Sequence, residues 1–307
     1  MATGTQKVLR KLEVSLAAGQ FYEAHEMFKT VYHRHRARGQ AEQSYELAAE
    51  GARLQLQKGQ VNCGVELALL LVEAYRSDGL APSEEAVERL LALVDAFPRQ
   101  GRPEGADPPV DECSRVVAAA VKWLRSAGDW QHEARLEGRL AAYASEALGW
   151  HGLGWALPHY ARAGDAGATA AAVASAAVHG RAEEEDLFVA RAALAMAASR
   201  PAPGAPGGPA AQLAAARELV ACYPSAAGHA LPDTPLLRFL GFYLEALARR
   251  SAALAELLEV RYRPSLDRDP QLQQLLARCR AAHLPAAAPP GLGGLLGDMM
   301  GLLVQPA

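Results

Sequence analysis

Apolar residues recur at intervals of three and four along nearly the whole chain, from Lys7 to Val304. This spacing marks one face of an α-helix, and no segment shows the alternation of apolar and polar residues that is typical of a half-buried strand. The interruptions between periodic segments are mostly one or two residues long and often contain glycine. The sequence therefore predicts an all-α protein whose short connections hold successive helices antiparallel.

Glycine forms most of the predicted turns, because it accepts the left-handed backbone conformation that closes a helix. Gly19, Gly59 and Gly164 each separate two periodic segments, and Asp269 before Pro270 supplies an N-cap followed by a proline at the first helical position. Together these signals predict helices over residues 5–18, 20–37, 40–58, 61–77, 83–97, 110–127, 131–148, 151–163, 166–179, 182–199, 209–222, 234–249, 251–262, 270–283 and 292–304.

Three segments break the helical pattern. Arg99 to Pro109 is predicted to be a surface loop, and Arg200 to Pro209 is too rich in proline and glycine for a helix or a strand. The glycine-rich stretch from Gly149 to Gly154 interrupts the helices less sharply and marks a boundary between two parts of the chain. It predicts an N-terminal half, residues 1–150, and a C-terminal half, residues 151–307.

Composition and net charge argue against several classes of protein. The chain has 307 residues, 50% of them hydrophobic, and a formal net charge of −3, which argues against a nucleic-acid-binding protein. No secretory leader and no apolar run of membrane-spanning length is recognisable. Four cysteines lie far apart and are predicted to be buried small hydrophobes in a reducing compartment. We expect a cytosolic protein without stable membrane insertion.

No catalytic or ligand-binding motif emerges. His33 and His35 are two residues apart and point to different sides of a helix, so they are not expected to share a metal ion. Gly291 and Gly293 begin like a dinucleotide-binding turn, but residue 296 is leucine and no strand precedes them. The sequence predicts no cofactor, no metal and no enzymatic activity, and a catalytic site assembled across several helices is the alternative.

The fourth predicted helix carries an acidic stripe. Glu66 and Glu73 are two helical turns apart and lie nearly in line. Three arginines lie close together at the end of the second predicted helix: Arg34, Arg36 and Arg38. Such a pattern is suited to steer a partner of complementary charge, and ordinary solvated charges are the alternative. Another stripe of the fourth helix is predicted to be buried: Val61, Val65, Ala68, Val72 and Tyr75.

The C-terminal segment from Gly291 to Val304 is apolar and has one charge, Asp298. A helix of this length is marginal in isolation, so we expect it to pack on its own chain, on a partner, or on both. Methionine pairs suit adaptable binding surfaces. The predicted partner-binding residues here are Leu295, Leu296, Met299 and Met300.

Four segments resemble motifs of the Get-four family, the cytosolic scaffold of tail-anchored membrane protein targeting. Gly19 to His25 (Gly-Gln-Phe-Tyr-Glu-Ala-His) is similar to the family's Ala-Gly-x-Tyr-Tyr-Glu-Ala-His signature. Tyr262 to Pro270 resembles its Tyr-x-Pro-Ser-Leu-x-Arg-Asp-Pro turn, and Glu184 to Ala190 resembles its acidic start before a Phe-Val-Ala helix. Gly293 to Met300 is similar to its terminal segment.

The resemblance implies a tetratricopeptide-like α-solenoid, a right-handed superhelix of antiparallel helical hairpins. In the family the N-terminal half binds a dimeric targeting ATPase, and the C-terminal half binds a ubiquitin-like protein or a chaperone-type partner. Glu66 and Glu73 match family acids that contact the ATPase. The family's basic contact aligns with Ala37, which Arg36 and Arg38 flank. A long β-hairpin of fungal members is replaced here by the short segment from Tyr223 to Pro235.

The sequence therefore predicts a non-enzymatic adaptor that bridges the targeting ATPase and a second protein. A tetratricopeptide-like scaffold subunit of another complex, of the proteasome-lid or trafficking type, is the alternative, because one fold serves many functions.

Overall fold

The computed structural model describes residues 4–100 and 107–284, with side chains from Arg10 onward, and this part of the chain is built from helices without strands. The helices are α1 (Gly4–Ala17), α2 (Phe21–Ala37), α3 (Ala41–Gln57), α4 (Val61–Ser77), α5 (Glu84–Ala96), α6 (Val110–Ser126), α7 (Trp130–Leu148), α8 (Leu153–Ala163), α9 (Ala166–Ala177), α10 (Glu185–Ala197), α11 (Gly208–Ala227), α12 (Pro235–Ala248), α13 (Ala252–Arg261), α14 (Arg263–Leu266) and α15 (Pro270–His283).

The predicted all-α fold is confirmed, and most predicted helices agree with the structure within two residues at each end. The main exception is α11, which continues to Ala227 because Tyr223 is buried and Gly228, with φ +77°, ends the helix. The same helix begins at Gly208 and carries Pro209 in its first turn. Proline is favourable there because the N–H groups of the first turn have no acceptor within the helix, so the missing N–H costs no hydrogen bond. The prediction of an irregular segment through Pro209 is therefore wrong for its last two residues. The predicted helix 292–304 lies outside the described residues.

The first seven helices form two layers. The helices α1, α3, α5 and α7 pack side by side in one layer, and α2, α4 and α6 pack in the other. The helices α1 to α4 also contact their chain neighbours across tight turns, as do α6 and α7, and glycines such as Gly39 and Gly59 with positive φ allow these turns. This stacking of helical hairpins leaves the outer face of the α2, α4 and α6 layer exposed.

The second half is organised around α10, which contacts α8, α9, α11, α12 and α15. This helix is buried on most sides, and its Ala190 and Ala193 have no exposed surface. Because alanine side chains are short, five helices approach a single central one.

Buried side chains form two hydrophobic clusters. One extends from Leu12 to Tyr160 and the other from Leu153 to Cys279, so they meet at α8, just after the glycine-rich stretch from Gly149 to Gly154. Of the cysteines, Cys113 and Cys279 are buried as predicted, whereas Cys63 and Cys222 are only partly covered. That the two halves bind different partners stays a prediction.

Candidate functional site

One stripe of α2 faces α4 and holds the two helices together with polar contacts. His25, Lys29, Tyr32 and Arg36 follow each other at steps of four, three and four, so they lie on one side of α2. The Tyr32 hydroxyl donates a hydrogen bond to the backbone oxygen of Leu70 at 3.3 Å. Through these contacts α4 presents its acidic stripe beside α2.

The carboxylate of Glu66 contacts two residues of α2. Its Oε2 lies 3.0 Å from Nε2 of His25, and its Oε1 lies 2.7 Å from Nζ of Lys29. The pKa of Glu66 is lowered, first by the hydrogen bond from Lys29 and then by His25. The carboxylate keeps half of its surface exposed. Glu66 therefore both fastens α4 to α2 and presents a charge to solvent.

Glu73 is the more accessible acid of the stripe. Its ion pair in the described chain is with Arg76, one turn later on α4, at 3.1 Å, and 66% of its side chain is exposed. An ion pair this open contributes little to stability. Glu73 is thus available to a partner without loss of an internal contact that the fold requires.

Arg36 makes an internal ion pair. Its guanidinium donates two hydrogen bonds to Asp78, one of them at 2.6 Å, and Asp78 also accepts a hydrogen bond from the hydroxyl of Tyr45. The hydrogen bond from Arg36 lowers the pKa of Asp78 to about 2, and that from Tyr45 contributes. Burial, followed by the hydrogen bond to Asp78, raises the pKa of Tyr45 to about 12. This cluster joins the C-terminal ends of α2 and α4.

Arg38 follows α2 and is exposed, and it has no ion-pair partner within residues 4–100 and 107–284. The structure therefore separates the predicted residues into two kinds. Glu73 and Arg38 present charge to solvent, whereas Glu66 and Arg36 also connect α2 to α4. The buried stripe of α4 is confirmed, since each of its five residues is at most 4% exposed.

Sequence reasoning did not identify Lys29, Asp78 or His25 as members of this face. His25 belongs to the motif from Gly19 to His25, and its burial against Glu66 shows that the motif histidine connects two hairpins. Its long-range partner carries no local sequence signal, because the two residues are 41 positions apart.

In the C-terminal half, the predicted partner-binding residues Leu295, Leu296, Met299 and Met300 lie outside the described residues. The described part exposes other large apolar side chains there. Phe242 of α12 is 56% exposed, and Leu257 and Val260 of α13 are 63% and 68% exposed. Leu257 and Val260 are three residues apart and so share one side of α13. We call these three residues the α12–α13 apolar set.

Within the described ranges there is no helix long and apolar enough to cross a membrane. The same ranges contain no group of three or more histidine, cysteine, aspartate or glutamate side chains arranged to hold a metal ion.

The family model described as Golgi to ER traffic protein 4 matches residues 38–304. The chain belongs to this family. Curated members with similar sequences are the Golgi to ER traffic protein 4 homologs of Bos taurus, 27% identical, and Takifugu rubripes, 28% identical, each matched over 98% of this chain and 88% of the relative. The Homo sapiens homolog is 26% identical over 97% of this chain and 86% of its own length.

The fold of a Golgi to ER traffic protein 4 has been determined in a crystal structure of C. therm. Get4. It superposes on this chain with a TM-score of 0.70, covers 99% of this chain and 97% of its own, and shares 20% of the aligned residues. At this identity the likeness concerns the fold alone. It supports the solenoid-like arrangement of helical hairpins that the sequence predicts.

Proposed function

We propose that this chain is a non-enzymatic adaptor of the cytosol that promotes delivery of tail-anchored membrane proteins to the endoplasmic reticulum. In this proposal the N-terminal half binds the dimeric targeting ATPase, and the C-terminal half binds a ubiquitin-like protein or a chaperone-type partner. Membership of the Golgi to ER traffic protein 4 family supports a trafficking role over a scaffold of the proteasome-lid type. The observation that carries the proposal is that two chemically different surfaces lie in the two halves.

The ATPase-binding surface is the charged face of α2 and α4. Glu66, Glu73 and Arg38 present charges of both signs to solvent there. Charges of both signs on one helical layer favour electrostatic steering of a partner with the opposite pattern. Arg36 contributes to this surface by holding the ends of α2 and α4 through Asp78.

The second surface is apolar. Phe242, Leu257 and Val260 keep more than half of their surfaces exposed, and aromatic and aliphatic side chains of this kind form the centres of protein interfaces. Leu295, Leu296, Met299 and Met300 are also proposed to bind this second partner. The helices α12 and α13 belong to the second hydrophobic cluster, whereas α2 and α4 belong to the first.

Surface plasmon resonance with the immobilised targeting ATPase tests the first contact. We expect Glu73→Lys to weaken binding by roughly tenfold or more, because it reverses an exposed charge at the interface. Glu256→Lys on α13 makes the same charge change in the other half and is the matched control. Equal affinities of wild type and Glu73→Lys would remove α4 from the binding surface.

The second contact is tested with Leu257→Asp combined with Val260→Asp. We expect this variant to lose the ubiquitin-like or chaperone partner and to keep the affinity for the ATPase. Val178→Asp, at another exposed apolar residue, is the control for a general effect of added charge. Retention of the second partner by the double variant would place its binding surface elsewhere.

A further inference from the structure

A groove of ≈ 750 Å³ lies where the ends of several helices meet, at the junction of the two halves. Its walls come from the C-terminal ends of α6, α8, α10 and α15, and from the segment that connects α10 to α11. It is separate from the charged face of α2 and α4 and from the α12–α13 apolar set. Four arginines line it: Arg125, Arg162, Arg200 and Arg278.

Two of these arginines are compensated by buried carboxylates of α7. Arg125 donates to Oε1 of Glu133 at 2.6 and 2.9 Å, and Arg162 donates to Oε2 of Glu137 at 3.2 Å. His159 also contacts Glu137, at 2.6 Å. Both carboxylates are almost fully buried, so they lie beneath the groove and do not face a ligand. Their charges balance Arg125 and Arg162 and no others.

Arg200 and Arg278 are exposed and have neither an ion pair nor a side-chain hydrogen bond within the part of the chain that the structure describes. Favourable helix dipoles are strongest in the last turn of a helix. Arg278 lies before the last turn of α15, and Arg200 lies beyond the end of α10. Within the described residues the two guanidinium groups therefore have no carboxylate partner, in a chain whose net charge is −3.

The floor between the arginines has small and rigid residues. Most of it comes from alanines of α8 and α15, alanines in or just after α10, and prolines of the connecting segment: Ala161, Ala281, Ala195, Ala198, Pro201 and Pro203. Short side chains let the backbone of a bound chain approach closely, and prolines fix the φ angle of the connecting segment, so less backbone freedom is lost on binding. The groove therefore suits an extended polypeptide better than a compact ligand.

We propose that this groove binds an acidic, extended segment of a partner protein, whose carboxylates pair with Arg200 and Arg278. Arginine matches carboxylates particularly well, because its planar guanidinium donates two parallel hydrogen bonds. Arg125 and Arg162 are paired with Glu133 and Glu137, so the charge available to a ligand comes from Arg200 and Arg278. The site gives the chain a third binding surface at the point where its two halves meet.

Fluorescence anisotropy of the full chain with a fluorescein-labelled peptide of alternating glutamate and alanine tests the proposal. We expect the peptide to bind, with an affinity that falls as ionic strength rises. Arg200→Glu combined with Arg278→Glu is expected to weaken binding by roughly tenfold or more, because like charges then face each other. Arg115→Glu combined with Arg181→Glu changes two exposed arginines outside the groove and is expected to bind like the wild type.

Circular dichroism melting checks that both double variants are folded. Three results would overturn the proposal: equal binding of the corresponding lysine–alanine peptide, equal binding by the Arg200→Glu, Arg278→Glu variant, or no binding by the full chain. Flotation with phosphatidylserine vesicles tests whether the groove binds a membrane surface instead. Vesicle binding that depends on Arg200 and Arg278, without peptide binding, would assign the groove to a membrane surface and contradict the proposal.

Discussion

The guanidinium of Arg268 donates hydrogen bonds to both carboxylate oxygens of Asp186, at 2.7 and 3.0 Å, although the two residues are 82 positions apart. In a second ion pair the positions of the charges are exchanged, because Arg191 lies in α10 and Asp269 lies just before α15. Asp186 and Asp269 are both buried. The segments from Glu184 to Ala190 and from Tyr262 to Pro270 therefore interlock, and the turn before α15 is fixed to the central helix α10.

Loss of the arginine from this contact is expected to destabilise the C-terminal half. Arg268→Gln leaves the buried carboxylate of Asp186 without its charged partner, and we expect a loss of about 3 kcal/mol in the free energy of unfolding. Urea denaturation followed by circular dichroism measures it. Arg263→Gln is the control in the same turn, because its ion pair with Asp267 is long, at 3.8 Å, and exposed, and its expected effect is below about 0.5 kcal/mol. Equal midpoints of the two variants would mean that the contact with Asp186 does not stabilise the fold.

The ion pair between Arg36 and Asp78 predicts a pH dependence. The pKa of Asp78 in the folded chain, about 2, lies below its usual value, so its contribution to stability is present above about pH 4 and is lost as the pH falls towards 2. We expect Asp78→Asn to be less stable than wild type at pH 5 and the difference to shrink at pH 3. Denaturant unfolding at the two pH values measures this difference. Asp111→Asn, at an exposed residue, is the control, and a difference for Asp78→Asn that is independent of pH would contradict the assignment.

Replacement of glycine by alanine is expected to have opposite effects at Gly64, where α3 and α4 approach closely, and at Gly241 of α12. A Cβ at Gly64 would lie 2.5 Å from Cγ of Leu56 and 3.1 Å from the backbone oxygen of Ala52. We expect Gly64→Ala to destabilise by about 1–3 kcal/mol through overpacking. Gly241 of α12 has no atom within 4 Å of the corresponding position, so Gly241→Ala is expected to stabilise by about 0.5–1 kcal/mol through helix propensity. Thermal melting measures both, and a stabilised Gly64→Ala variant would contradict the observed packing.

The helices were predictable from the sequence because their signals are local. Periodicity and the glycines at the turns placed α2, α3 and α4 within about a residue, and the buried stripe of α4 followed from the same period. Pairs such as Arg36 with Asp78 and Arg268 with Asp186 had no such signal, because only the packing of distant helices brings them together. For the same reason the sequence marked Glu66 and Glu73 as equivalent, whereas Glu66 is engaged by His25 and Lys29. The one-turn helix α14 was missed because four residues show no period.

The proposed bridging function is tested directly by size-exclusion chromatography with multi-angle light scattering on a mixture of this chain, the targeting ATPase dimer and the ubiquitin-like or chaperone partner. The account predicts one complex that contains all three proteins. Glu73→Lys is expected to remove only the ATPase from it, and Leu257→Asp with Val260→Asp only the second partner. Two binary complexes that never combine, or the loss of both partners from either variant, would contradict a chain that holds two proteins at separate surfaces.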